Sequence, residues 1–336
     1  MAVLYVTENG SKVQKEDERL VVRLKDEVLE EIPLIKLEKV VVMGRSVQVT
    51  TQAMFALVGR GIDVLYLKGG GGYGFRVVGN EHNLSQLRYR QALAINDEGL
   101  GLRIAREIVR AKILNQRVLV QRHAERAPWA GKALETMATM AQRVDGAATL
   151  DELRGFEGNA ARAYFGLYRQ LLKERMGFDR RAYYPPTDPV NAMLSFGYTL
   201  LLNDCISACQ IAGLDPYLGF FHALDYGRPS MALDLEETMR PVIVDSLVLG
   251  LVNSGRIKAA DFQKGKGNGQ SGPGIYLTDA ARHLFVETYE ARINTTTSFP
   301  QGESSLQQET TYRRTLLLQA QSMARVIMGE AQAFIP

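Results

Sequence analysis

The stretch "GFFHALDYGRPSMALDLEE", residues 219–237, brings one of four histidines, His222, close to Asp234, Glu236 and Glu237. On a helix Asp234 and Glu237, three apart, leave from one face, whereas Glu236 is rotated away from both. Pro241 interrupts the pattern that runs on through "VIVDSLVLGLV", so this helix either kinks or restarts there. A further carboxylate, Glu157, stands far away in "LRGFEGNAARAYFGLYRQLL", between Phe156 and Gly158. Small neighbours there permit another helix or backbone to come close, and a charge so placed is costly unless it is paired with a cation. An imidazole with two carboxylates is a mixed nitrogen and oxygen ligand set. It suits Mn²⁺, and Mg²⁺ where water or phosphate oxygens fill the remaining positions. Such an ion polarises a phosphoryl oxygen and lowers the pKa of a bound hydroxyl, the chemistry of phosphodiester hydrolysis or transfer. On the residues alone a plainer reading stands beside this one: His222 as a satisfied buried histidine, the acids as a solvated helix face.

An anionic substrate would need local basic patches, because 40 basic against 37 acidic residues give a net charge of only +3. Arginines from Arg88 to Arg126, with Lys112 among them, dot one helical region, while Arg228, Arg240, Lys258, Lys264 and Lys266 flank the acidic cluster in sequence. With Tyr164, Tyr168, Tyr183 and Tyr184 they could hold phosphates and stack on bases; ordinary solvated faces are the competing reading. His82, His123 and His283 lack acidic partners at ligand spacing and read as surface or helix-end residues. Cys205 and Cys209, four apart in an apolar helical pattern, read as reduced core thiols.

These residues need elements to position them. A chain of 336 residues has room for about two domains of roughly 150 residues each, and 46% hydrophobic content lets each bury a core. Short β-type runs (Val3 to Val6, Leu20 to Leu24, Val28 to Leu34, Val40 to Met43, Val47 to Val49) predict a sheet-rich first domain over residues 1–82. Asp26-Glu27 suits a hairpin turn, Thr50 or Thr51 caps one helix, and "IDVLYL" and "FRVV" add strands. Four glycines in "KGGGGYGFRVV" have no strand–loop–helix setting for a phosphate cradle and read as a loop. From residue 83 to 336 the apolar period changes to three and four residues, which predicts a larger helical domain; "GKGNGQSGPG" within it reads as a polar loop. No window approaches the roughly 18 apolar residues of a membrane span and no charged leader precedes an apolar run, so the expectation is an intracellular, cytoplasmic protein without a membrane partner.

The segments "AKILNQRVLV", "FEGNAARAYF", "DPVNAMLSFGYTLL" and "AGLDPYLGFFHALDYGRPSMALDLEETMRP", in that order, resemble the CRISPR-associated integrase of spacer acquisition, the family called Cas protein one. The resemblance spans essentially the whole chain. It implies an α+β architecture: a small N-terminal β-sandwich domain, used for dimerisation, and a larger all-α catalytic domain. It further implies a Mg²⁺- or Mn²⁺-dependent integrase and endonuclease, a homodimer that joins Cas protein two. In that family 3′-hydroxyl ends of a short foreign duplex DNA attack phosphodiester bonds at the edges of a CRISPR repeat. Carried over by motif, Glu157, His222 and Glu237 match the metal ligands, and Asp234 matches an acidic position beside the metal with a supporting role. Arg228, Arg240, Lys264 and Lys266 are the candidate phosphate contacts, and Glu236 is expected to point away. A structure-selective nuclease, or a DNA-binding scaffold whose acids only brace helices, are the alternatives.

Overall fold

In the first strands apolar side chains alternate with charged ones, and the computed structural model shows what that alternation covers. It describes residues 2–43, 46–67, 73–77, 79, 84–123, 130–182, 185–265, 274–300 and 307–336, in two units, Met1–Asn83 and Leu84–Pro336. The first unit holds β1 (Ala2–Val6), β2 (Lys12–Glu16), β3 (Arg19–Leu24), β4 (Glu27–Pro33), β5 (Leu37–Val42), β6 (Gln48–Val49), α1 (Thr51–Gly59), β7 (Asp63–Leu67) and β8 (Tyr73–Val77). They form two four-stranded sheets, β1-β5-β7-β8 and β4-β3-β2-β6. Leu4, Val6, Val40, Val42 and Val64 of the one meet Val13, Leu20 and Val22 of the other, together with Ala53 and Leu57 of α1, in one core. This is the expected sandwich.

The turns make the sheet order. Asp17 and Lys25 adopt positive φ, 48° and 55°, in the two-residue links of β2–β3 and β3–β4, as tight hairpins require. The second link is Lys25-Asp26, one residue earlier than the sequence suggested. Pro33 then ends β4, because it has no N–H for the ladder, and the next turn delivers β5 to the other sheet, parallel to β1 and β7. Thr50 caps α1 by accepting from the Ala53 N–H. β2 escaped the sequence reading because Val13 is the one apolar side chain in "KVQKE", although that valine is fully buried. The glycine run, residues 69–72, lies outside the described residues, as do His82, Arg126, Tyr183, Tyr184 and Lys266.

The second unit contains α2 (Ser85–Ala94), α3 (Glu98–Gln121), α4 (Gly131–Arg143), α5 (Leu150–Leu171), α6 (Pro189–Ile211), α7 (Ser230–Arg240), α8 (Ser246–Asn253), α9 (Asp279–Ile293) and α10 (Tyr312–Met328). It also carries two hairpins that helical periodicity does not announce: β9 (Phe262–Gly265) with β10 (Gly274–Leu277), and β11 (Thr296–Pro300) with β12 (Gln307–Thr311). Asp97, Thr149 and Asp188 cap α3, α5 and α6, each accepting from a backbone N–H three residues on. α3 packs against α4, α5 and α7, and α6 packs against α7 and α10. α6 is long and apolar enough to cross a membrane by composition, but 78% of its apolar window is buried inside the protein. Cys205 and Cys209 are free and buried on it.

Pro241 neither ends nor restarts the helix. It cannot donate to the carbonyl four residues back, and the chain widens into a π-turn over Pro241–Asp245 before α8 continues. Carbonyls along this stretch find other donors: Asn115 Nδ2 on Thr238 O at 2.8 Å, Arg292 Nη2 on Val242 O at 2.7 Å, and the Tyr168 hydroxyl on Asp245 O at 2.9 Å. The Asp245 carboxylate accepts from the hydroxyls of Tyr164 (2.7 Å) and Tyr198 (2.6 Å). Tyr164 and Tyr168 are therefore buried braces for α7–α8 and cannot stack on bases, contrary to the sequence reading.

Burial pushes the Asp245 carboxyl up to about 6, against the pull of the two tyrosines. Since its folded value lies above the ordinary one, the folded state holds the proton longer, and the contribution of Asp245 to stability falls as pH rises through about 4 to 6. Urea unfolding of the wild type and Asp245→Asn across pH 4–7 checks this. The wild-type advantage should shrink over that window and level off above it, whereas a pH-independent difference contradicts the assignment.

Candidate metal centre

Asp234, fully buried on α7, organises the loop that precedes its own helix. Its Oδ2 accepts from the N–H groups of Phe220 (2.6 Å) and Phe221 (3.0 Å), and its Oδ1 accepts from the N–H of His222 (3.0 Å). The loop can come this close because Gly219 has no side chain: a Cβ there would lie 2.5 Å from the Ser230 carbonyl carbon. The imidazole is then fixed by its own bond, Nδ1 to Asp234 Oδ1 at 2.7 Å. In the tautomer that donates Nδ1–H to the carboxylate, Nε2 is the nitrogen left to bind a metal, the usual orientation of a metal-binding histidine. Nε2 faces Glu237 Oε1 at 3.6 Å.

Glu237 is the hub. It lies one turn beyond Asp234 on α7, its side chain is 4% exposed, and Arg240, Lys112 and His222 surround it. Burial alone would raise its carboxyl, but Arg240, Lys112 and His222 together hold it down at about 2. Lys112 reaches in from α3, its Nζ 2.6 Å from Glu237 Oε2 and 2.5 Å from Glu157 Oε1, so one ammonium joins α3, α5 and α7. Burial works against that charge, yet Glu237 and Glu157 hold it well above an ordinary lysine.

The structure thus brings His222, Asp234 and Glu237 into direct contact and connects Glu157 to them through Lys112. Among the described residues no three acid, histidine or cysteine side chains enclose an ion position as they stand, because Lys112 occupies the space between the two glutamates. The donors nonetheless fit a hard divalent ion: two carboxylates already converge on a cation, and a carboxylate-backed imidazole nitrogen stands beside one of them. The glycine beside Glu157 does not admit another helix. A Cβ on Gly158 would meet nothing within 4 Å, and Glu157, 23% exposed, is the open side of the site.

One expectation is sharpened here and one corrected. Glu236 does leave α7 in another direction, but that direction is interior: it is fully buried and bound by Arg240 Nη2 at 2.7 Å. Burial raises its carboxyl, against the pull of Arg240. Arg240 is correspondingly not a phosphate contact. It clamps Glu236 and Glu237 and lies over the Tyr198 ring, 4.7 Å from its centroid. Arg228 and Lys264 are exposed, Arg228 in the turn after His222 and Lys264 on β9. His123, at the end of α3, places Nδ1 on Leu119 O, and His283 is exposed at the start of α9.

Lys112 is the residue of this cluster that sequence reasoning passed over as one basic residue among many. Its signal was position: it follows Ile108 and Val109 by four and three residues, so it lies on the buried stripe of α3, where a lysine needs an acid.

The family model of CRISPR associated protein Cas1 matches residues 4–291. The chain belongs to the Cas1 family. CRISPR-associated endonuclease Cas1 2 of Rhodospirillum rubrum is 36% identical over 99% of the chain and 97% of its own length. A Cas1 protein from Thermotoga maritima shares the fold, with a TM-score of 0.80 at 24% identity over 100% of this chain and 99% of the other. A chain of a partial Cas6-RT-Cas1–Cas2 complex aligns with a TM-score of 0.71 at 26% identity, covering 100% of this chain and 98% of that one. The Cas1 fold is thus the sandwich-plus-helices arrangement described above, and the acids of α7 lie within the matched region.

Glu236→Ala removes one of the two carboxylates that neutralise Arg240, and should lower unfolding stability by about 2–4 kcal/mol in urea titration. Glu236→Gln, which keeps an acceptor for Arg240, should lose less than half of that. Equal losses would mean that the buried charge is not what Glu236 supplies.

Proposed function

We propose that this Cas1-family chain is a divalent-metal-dependent DNA integrase and endonuclease of CRISPR adaptation, inserting short foreign DNA segments into a CRISPR array. The observation that carries the reading is the convergence of Glu157 and Glu237 on the Lys112 ammonium, with the Asp234-backed imidazole of His222 beside Glu237. The endonuclease name of the R. rubrum relative supports the reaction class, and the aligned chain of a complex with Cas2 supports Cas2 as partner. Duplex DNA is the substrate, the active form is a homodimer, and the protein works in the cytoplasm without a membrane.

Glu157, Glu237 and His222 through Nε2 are the residues that would hold Mg²⁺ or Mn²⁺. When bound, the ion neutralises charge on the phosphoryl oxygens and acidifies the attacking hydroxyl. Asp234 keeps the proton on Nδ1 and so keeps Nε2 available as a donor atom. The flanking cations keep Glu237 a carboxylate across the physiological range. Arg228 and Lys264 are placed in solvent, where phosphates of the duplex can reach them.

In the reaction a 3′-hydroxyl oxygen forms a bond to a phosphorus of the repeat. The existing ester bond breaks, and the departing 3′-oxygen takes a proton. One phosphodiester replaces another, so no nucleotide cofactor is needed. Water in place of the 3′-hydroxyl gives hydrolysis at the same residues, the alternative of a structure-selective nuclease.

Purified protein with its Cas2 partner, a short duplex with 3′-hydroxyl ends and a supercoiled plasmid bearing a CRISPR repeat tests this. Joined, branched product should form with Mn²⁺ or Mg²⁺, vanish with EDTA, and fall below detection in Glu157→Ala, His222→Ala and Glu237→Ala while DNA binding persists. Nicking without joining would favour the nuclease. Joining in a folded His222→Ala protein would remove that residue from the site.

A further inference from the structure

Lys112 is not an accessory base at the edge of the site. Its ammonium lies between the two glutamates, bound to Oε1 of Glu157 and Oε2 of Glu237, while the other Glu237 oxygen is taken by Arg240. Each oxygen of Glu237 therefore already faces a cation of the chain itself. Arg240 cannot easily let go: its planar fork spans Glu237 and the fully buried Glu236 and rests on the Tyr198 ring. Lys112 can, because its compact ammonium ends a flexible stem and Glu157, on its far side, borders open space.

We infer that Lys112 is a displaceable internal counter-ion: it holds Glu157 and Glu237 together and competes with a divalent cation for their oxygens. The inference rests on the metal-dependent reading above and extends it to how the site is loaded. Mg²⁺ binds oxygen ligands at about 2.0–2.1 Å. An ammonium at 2.5–2.6 Å from those same oxygens leaves no space for it, and the two like charges repel at that range. An ion ligated by both glutamates must therefore move the ammonium off, and its affinity is lowered by the pairing it breaks. The same pairing keeps two acids from separate helices, α5 and α7, in register before any ion arrives. The displaced ammonium then needs another anion, and a DNA phosphodiester has the matching chemistry.

Isothermal titration of MnCl₂ into the full-length protein without DNA tests this, using wild type, Lys112→Met and Lys112→Arg, with folding checked by circular dichroism. Loss of the competing charge should tighten Mn²⁺ binding in Lys112→Met by about tenfold or more, and Lys112→Arg should stay within about threefold of wild type. Lys112→Gln, which can still donate to the carboxylates, should behave as Lys112→Met and serves where the methionine variant does not fold. In parallel, the neutral variants should melt lower than wild type without metal, and saturating Mn²⁺ should raise their melting temperature more than that of wild type. Mn²⁺ binding with unchanged or weaker affinity in both neutral variants would overturn the counter-ion role while leaving the metal site intact. Absence of Mn²⁺ binding in every protein, wild type included, would remove the metal reading and this inference together.

Discussion

Three carboxylates of α7, Asp234, Glu236 and Glu237, are buried, and their charge is the constraint around which the helical domain is arranged. A carboxylate removed from water is tolerable only with hydrogen bonds or a cation in place. Each acid here is satisfied differently. Asp234 takes backbone N–H groups and an imidazole, Glu236 takes Arg240, and Glu237 takes Arg240 and Lys112. Those partners fix which parts of the chain must meet: the loop before α7, α7 itself and the middle of α3. Glu157 joins through the same lysine, so α5 is positioned by the charge of α7 although the two acids do not touch.

The backbone that carries these acids is held just beyond them. The π-turn after Arg240 is a local irregularity forced by Pro241, and the side chains that satisfy it come from α3, α5, α6 and α9. Tyr198 works in both systems. Its hydroxyl binds Asp245, while its ring supports the guanidinium that neutralises Glu236 and Glu237. The orientation of the acidic face is therefore set by the same packing that accommodates the proline, and a helix restarted at Pro241 would lose that link.

Much of this was legible in the sequence wherever a local rule applied. The change of apolar period near residue 83 separated sheet from helix, and the spacing of Asp234 and Glu237 put them on one side of α7. The family resemblance, rather than spacing, joined Glu157 to His222, since nothing local relates residues on different helices. Three things stayed hidden for physical reasons. β2 carries one apolar residue, so its membership in a sheet is decided by its neighbours. The spacing turned Glu236 away from Asp234 and Glu237 but could not say into what, because a polar stretch on a helix reads as a wet side, whereas α7 is buried over nearly its whole length. Arg240 and the tyrosines of α5 looked available for DNA because the sequence does not show that buried Asp245, Glu236 and Glu237 claim them first.

Charge counting in the site leads to the remaining step. The interlocked side chains comprise four acids, Glu157, Asp234, Glu236 and Glu237, and two permanent cations, Lys112 and Arg240. With every acid ionised the set carries two negative charges in excess, the charge that one divalent ion neutralises. Burial raises the Glu236 carboxyl against the pull of Arg240, while the cations around Glu237 hold its carboxyl down. Of the two acids that Lys112 joins, Glu157 is the one that reaches solvent. An excess of two negative charges within one interlocked cluster is the electrostatic support for the metal-dependent reading proposed above.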